Sequence, residues 1–313
     1  MKIICTVEVS DRNLPSLNLP SKKSVRSSLA IGKSGDKELY ILHQTNQNGS
    51  GKKYKINNAN VRTLDNRILR LRNLCVLYLE NNELTTLPEQ LGSSLPKLTE
   101  MHLRDNSLGL GGNWKWIVNG NLQKQLKLLD LRSNKISVLP DKLVKLANLV
   151  TLNVDDNRLE SLPNALGYMR SLRFFTASKN QISYLPGSIK LLRLECLDLS
   201  HYVFCEKLNK KVTAKDFLFV PPLVDIAAAC VITKRLYFSE ATLPQTLIDH
   251  LESASFCVCG KPCFSQQPES YIPYRGLCDC IITTVNRRDF KISVRYCSFQ
   301  CYSKEERLFF PQY

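Results

Sequence analysis

Seven of the twelve cysteines in this chain fall within its last 57 residues. Two pairs stand out, Cys259-x3-Cys263 in FCVCGKPC (256–263) and Cys297-x3-Cys301 in YCSFQC (296–301). Two thiolate pairs are what a tetrahedral Zn²⁺ takes at a structural site, and four of them leave no open position for water. The chemistry expected is therefore a metal staple that joins two segments, not a catalytic centre. Gly260, Lys261 and Pro262 suit a tight knuckle turn, and the lysine offsets part of the negative charge of the site. Cys257 precedes the same turn and can stand in for Cys259; Cys278 and Cys280, in the intervening loop, offer another ligand. A reduced or redox-active cluster and a set of disulfides are the other readings of these residues. The remaining five cysteines, Cys5, Cys75, Cys196, Cys205 and Cys230, lie among apolar neighbours and read as small buried hydrophobes.

No second constellation has a catalytic spacing. The histidines His43, His102, His201 and His250 are isolated, and none sits in a nucleophile elbow, phosphate loop or zincin pattern. The expectation is a protein that is not an enzyme.

What must position the cysteines is the rest of a 313-residue chain, long enough for two or three modules. It has no run of 18 apolar residues, and MKIICTVEVS lacks the basic start and continuous apolar stretch of a signal peptide, so the reading is soluble and intracellular, with no membrane partner. The net charge of +15 divides as +5 over 1–53, +7 over 54–204 and +3 over 205–313. No segment holds a dense basic block, which predicts no sequence-specific nucleic-acid binding and at most weak attraction to acidic surfaces.

The middle of the chain repeats the template L-x-x-L-x-L-x-x-N-x-L. LCVLYLENNEL (74–84), LTEMHLRDNSL (98–108), LKLLDLRSNKI (126–136), LVTLNVDDNRL (149–159) and LRFFTASKNQI (172–182) match it, and LECLDLSHYVF (194–204) matches except for Tyr202 at the asparagine. Asn82, Asn106, Asn134, Asn157 and Asn180 are 24, 28, 23 and 23 residues apart. The L-x-L core predicts a short strand with inward leucines, and the asparagine a turn whose amide bonds the next coil. Stacked coils bury a core that none builds alone. YKINNANVRTL (54–64), with Ala59 at the asparagine, reads as a leading cap, and GLGGNWKWIVNGN (109–121) as an insertion on the convex side. Between the inward leucines, one column of concave residues is Tyr78, His102, Asp130, Asn153, Thr176 and Asp198; its neighbour is Glu80, Arg104, Arg132, Asp155, Ser178 and Ser200. Mixed signs suit a protein epitope, and the candidate substrate face is Tyr78, Glu80, His102, Arg104, Asp130, Arg132, Asn153 and Asp155.

The flanks differ from the repeats. IICTVEV, RSSLAIG and ELYILHQ alternate as short strands, and GSGKKYKI reads as a turn into a fourth, giving a small β module over 1–53. After the repeats (54–204), Leu223, Ile226, Ala227, Cys230 and Val231 form a helical stripe with Asp225 in the first turn. LPQTLIDHL (243–251) starts a second helix at Pro244 with Leu247 and Leu251 on one face. These helices fill 205–255, where they could simply cap the open end of the solenoid, and the cysteine-rich segment fills 256–313.

The start MKIICTVEVSDRNLPSL, the repeats up to LECLDLS, the proline-led LPQTLIDHL and the tail FCVCGKPCF with YCSFQCY together resemble the leucine-rich repeat substrate receptors of cullin-2 RING ubiquitin ligases. The resemblance implies an α/β leucine-rich repeat solenoid between a pleckstrin-homology-like amino domain and a carboxy-terminal helical box with a zinc-bound segment. Residues 1–53 hold only four strands, short of the later strands and closing helix of that domain, so phosphoinositide binding is not inferred. The resemblance also implies an elongin-binding box at Pro222, Leu223, Ala227 and Val231, with Ala227 where the family has cysteine, and a cullin box at Leu243, Pro244, Leu247 and Leu251. The partners it implies are elongin B/C, cullin-2 with its RING subunit, and a ubiquitylated MCM helicase subunit as substrate during replisome disassembly. The implied location is the nucleus, with the cytoplasm second. The competing expectation is a plain repeat scaffold of the Ras-binding type, for which the carboxy-terminal helices would be indifferent; a nucleic-acid-binding zinc module is the third, with binding that falls steeply with salt.

Overall fold

The structure is a computed structural model that describes residues 33–34, 37–38, 52–118, 120–201, 212–218, 220–234, 236, 238, 241–257, 259–264, 266–273, 281–282 and 291–309. Most of the expected amino-terminal strands, together with Tyr202, Cys205, Cys278 and Cys280, lie outside these residues; β1 (Lys33–Ser34) and β2 (Lys37–Glu38) pair antiparallel. Eight parallel strands form one sheet, starting with β3 (Lys52–Lys55), β4 (Leu74–Tyr78), β5 (Glu100–His102), β6 (Leu128–Asp130), β7 (Thr151–Asn153) and β8 (Phe174–Thr176). After the two-residue strand β9 (Leu185–Pro186), β10 (Cys196–Asp198) continues the sheet. The expected fourth strand of the amino module is thus the solenoid's leading strand, β3, paired with β4.

Register explains the core. Leu77, Met101, Leu129, Leu152, Phe175 and Leu197 are cross-strand partners and fully buried. One residue on, Tyr78, His102, Asp130, Asn153, Thr176 and Asp198 are partners on the opposite face, as the template predicts.

The asparagines bond in the direction opposite to the one expected. Asn106 Nδ2 donates to Leu79 O at 2.8 Å and Leu103 O at 2.9 Å, and its Oδ1 accepts from Leu84 N at 3.0 Å. Asn134, Asn157 and Asn180 likewise donate to the preceding coil, at Leu103 O, Leu131 O and Val154 O. Each amide satisfies strand-end carbonyls and a turn N–H that burial would otherwise orphan. The asparagine therefore supports the coil before it. The residue just before each asparagine, Asn81, Asp105, Ser133, Asp156 and Lys179, has a positive φ of 51–57°, the sharp turn that aims the amide inward.

The insertion folds into the convex layer, where α1 (Leu91–Ser94) is followed by α2 (Leu108–Gly111), α3 (Lys115–Val118) and α4 (Leu122–Gln125). Trp116 and Ile117 enter the core there. A Cβ on Gly111 would lie 2.0 Å from Thr85 O, so only glycine admits this approach.

Beyond the repeats come α5 (Leu223–Thr233), α6 (Gln245–Glu252), β11 (Ser255–Phe256), β12 (Pro262–Cys263), β13 (Glu269–Pro273), β14 (Ile281–Ile282), β15 (Lys291–Arg295) and α7 (Phe299–Phe309). This tail is knitted to the last repeats by strand pairing. β14 adds to the solenoid sheet beside β10, and β15 pairs in parallel with β9 and antiparallel with β13. Gly187 permits the second junction, since a Cβ there would meet Ser293 O at 2.6 Å. Cys257, Cys263, Ile272, Ile292, Val294 and Tyr296 join the leucine core, while Phe256 packs against Tyr168 with tilted rings and centroids 4.2 Å apart.

Candidate metal centre and binding faces

The β11–β12 turn and the start of α7 carry the thiols. Cys257 N donates to Lys261 O at 2.9 Å and Gly260 N to Cys257 O at 2.8 Å, closing a knuckle in which Gly260 has φ +84°. That turn presents Cys257 and Cys259, and the first turn of α7 presents Cys301 beside Cys297. The four sulfurs lie within 4.8 Å of one another, with Cys259 to Cys297 at 3.5 Å and Cys297 to Cys301 at 3.6 Å. Four sulfurs on a tetrahedral Zn²⁺ at about 2.3 Å would be about 3.8 Å apart. The donor set and its spacing fit that metal.

Cys263 is not in this group, contrary to the expected set; Cys257 takes its place. The β11–β12 register pairs Cys263 with Ser255 and turns its side chain into the solenoid core, with Sγ 3.8 Å from Lys261 O and 3.9 Å from Arg295 O. The C-x-C-G knuckle, with its left-handed glycine, was the signal for Cys257. Among the scattered cysteines, Cys196 is buried as expected, whereas Cys230 is exposed.

Without a cation the cluster holds on to protons. Its hydrogen bond with Cys263 and its burial push the Cys257 thiol far up; burial raises Cys259, and burial with the neighbouring Cys257 raises Cys297. Cys301 alone moves down, because the hydrogen bonds from Ser298 and the other thiols outweigh its burial. Four thiolates so close together need a dication to hold them.

On α5 the apolar side chains divide between two faces. Asp225, Ala228, Ala229 and Ile232 face inward, with Ala228 buried against Leu251, Phe256 and Phe264. Leu223, Ile226, Ala227 and Cys230 face outward; Leu223 is 81% exposed. Four of the five residues of the helical stripe thus lie on the exposed face, and Val231 is half-buried. Of the residues assigned to the elongin box, Leu223 and Ala227 are on it, Pro222 precedes the helix and Val231 is half-buried. In the cullin-box set, Leu251 is buried, Leu243 half-buried, and Pro244 and Leu247 exposed. The two helices are pinned together: His250 Nε2 lies 2.9 Å from buried Asp225 Oδ1 and its ring stacks on Phe264 at 4.7 Å. Glu252 of α6 reaches Lys145 of the solenoid at 2.6 Å.

The concave columns form a polar network. Tyr78 stacks on His102 at 4.4 Å, and Arg132 holds buried Asp130 through contacts of 2.5–3.1 Å. Glu80, His102 and Asp130 offer ligand atoms within 4.8 Å of one another, but Arg132 already neutralises Asp130, which makes the trio a poor metal seat. Asp155 accepts from Thr176 Oγ1 and from both Ser178 donors, and burial still raises its carboxyl above the usual range. Glu100 is held lower by the neighbouring His102, whose Nε2 lies 3.6 Å from Glu100 Oε2. Arg104 donates to its neighbour Asp105, and Asn153 takes the Thr176 hydroxyl at 3.3 Å.

Comparison with known proteins adds two family matches: an LRR1 pleckstrin homology domain over residues 1–71 and a leucine rich repeat over residues 124–182. The first reaches beyond residue 53 through the leading strand. No curated protein matches the chain. Among solved structures, a leucine-rich repeat protein of Leptospira interrogans is 25% identical with a TM-score of 0.37, over 48% of this chain and 43% of that one. Internalin C2 of Listeria monocytogenes is 24% identical with a TM-score of 0.39, over 50% of this chain and 74% of its own. The chain therefore spans less than half the length of the Leptospira protein.

Proposed function

We propose that this protein is the substrate-recognition subunit of a cullin-2 RING ubiquitin ligase, catalytically silent itself. α5 and α6 dock elongin B/C and cullin-2, and the concave face with the amino domain presents a protein substrate, a subunit of the MCM helicase. The recruited machinery transfers ubiquitin, and the receptor contributes proximity.

The observation that carries this reading is the outward apolar face of α5. A helix that merely capped the solenoid would bury Leu223 and Ile226, each worth about 1.5–3 kcal/mol when removed from water. Instead both stand in solvent beside exposed Leu218 and Val220, while the opposite face and the Asp225–His250 pair hold the helix in place. Ala227 stands on that face in the elongin-box frame. The LRR1-type amino domain beside leucine-rich repeats supports the same reading.

The thiol cluster supplies rigidity. Zn²⁺ held by Cys257, Cys259, Cys297 and Cys301 would tie the knuckle after β11 to the first turn of α7. Its chemistry is that of a structural dication.

The test is capture of elongin C and cullin-2 from cell extract by wild type and by a Leu223→Ala/Pro244→Ala variant matched for folding. Capture by wild type and loss in the variant is expected. Equal capture, or none by either, would return the protein to the plain scaffold class.

A further inference from the structure

We propose that one lateral edge of the solenoid, where each coil enters its strand, seats the phosphate backbone of duplex DNA without regard to sequence. The proposal stands apart from the receptor reading, since the edge and α5 share no residue.

The +15 charge is not on the concave columns, where Glu80, Asp130, Asp155 and Asp198 outnumber Arg104 and Arg132. A line of cations lies at the edge instead. Backbone hydrogen bonds run Lys127 N to Thr99 O, Val150 N to Lys127 O, Arg173 N to Val150 O and Glu195 N to Arg173 O, all 2.8–2.9 Å, and so align successive coils. Along this line Arg72, Lys97, Lys124, Lys127, Arg170 and Arg193 are exposed. None of the six is in a salt bridge among the described residues. Glu100 and Glu195 are the acids beside them.

Two grooves open on the same edge. One takes in Lys97, Lys124 and Lys127 with the neutral donors Thr99, Gln125, Asn148 and Ser171, and the other lies between Arg170, Arg173 and Arg193. Cations interleaved with hydroxyl and amide groups are what phosphate oxygens accept. The first groove has no aromatic anchor of the kind a protein partner uses. From β4 to β10 the edge runs five strand spacings, about 24 Å, which matches about seven base-pair steps along one strand. The sequence hides this edge because its cations belong to different coils, and only stacking brings them into line.

The experiment is fluorescence anisotropy of a labelled mixed-sequence duplex of about 20 base pairs, titrated with the full chain across a salt series. With six phosphates neutralised, affinity should fall about a thousandfold between about 50 and 200 mM salt. The Lys124→Glu/Lys127→Glu/Arg170→Glu/Arg193→Glu variant should bind at least about tenfold more weakly and flatten the salt slope by about 3–4. A Gln version of the same four, with a wild-type thermal melt, guards against misfolding and should lose binding in the same direction. Lys135→Glu/Arg158→Glu/Lys179→Glu, reversing exposed cations on the opposite edge, should keep most of the affinity. Absence of binding at low salt, equal loss in the two reversed sets, or competition by polyglutamate as strong as by unlabelled duplex would overturn the proposal, the last in favour of an acidic protein.

Discussion

Inside the solenoid, polar amides are taken out of water and fully bonded, whereas on α5 Leu223 and Ile226 stand exposed among the described residues. The first arrangement stabilises the chain by itself. The second does nothing for the isolated fold and becomes favourable only when a partner covers it. On the proposed reading, stability and binding reside in different residues, and substitutions should separate them.

The largest expected effect is on the ladder. Asn134→Ala removes donors to Leu103 O and Leu131 O and the acceptor for Leu108 N, all buried. At about 1–3 kcal/mol per orphaned group, a loss of about 3–5 kcal/mol is expected in urea unfolding, with elongin binding by the surviving folded fraction unchanged. Next comes the thiol cluster. One equivalent of zinc is expected by mass spectrometry under native conditions; Cys257→Ser should lose it, and Cys263→Ser should keep it despite a less stable core. Stripped of metal, three of the four thiols have folded pKa values above the ordinary thiol, so their contribution is complete below about pH 8.5 and is lost as pH rises through the raised values. Thermal melts of the chelated protein should fall with pH over that range, and those of the loaded protein should not.

A smaller effect sharpens the comparison from the α5 side. Asp225→Asn keeps the shape but removes the charge facing His250, and about 1–2 kcal/mol of stability should go with it. The smallest stability change belongs to Leu223→Ala, within about 0.5 kcal/mol of wild type because the side chain is already in solvent. It should nevertheless give the largest loss of partner binding.

The solenoid was legible because its period is covalent: leucines and asparagines recur at one phase, and the strand registers follow. The rest depended on long-range pairing. Whether Cys257 or Cys263 joins the cluster is settled by the β11–β12 register, for which the C-x-C-G knuckle is the local signal and the C-x3-C spacing is not. The stripe Leu223, Ile226, Ala227, Cys230 is an apolar period that does not report which side of the helix the solenoid covers; Ala228 and Ile232, equally apolar, take the inner face. The asparagine amide bonds the coil before it, since the carbonyls left open at each strand end belong to that coil. Pairing of β14 with β10 and of β15 with β9 joins segments about a hundred residues apart in sequence, beyond the reach of any periodicity.

The most direct test of the central claim is calorimetric titration of purified elongin B/C into the zinc-loaded chain and into its Leu223→Ala variant at several temperatures. Saturable binding by wild type with a negative heat-capacity change, lost in the variant while its melt is unchanged, is the predicted result. Equal binding by both, or no heat with either, would contradict the assignment of the outward face of α5 as the partner seat.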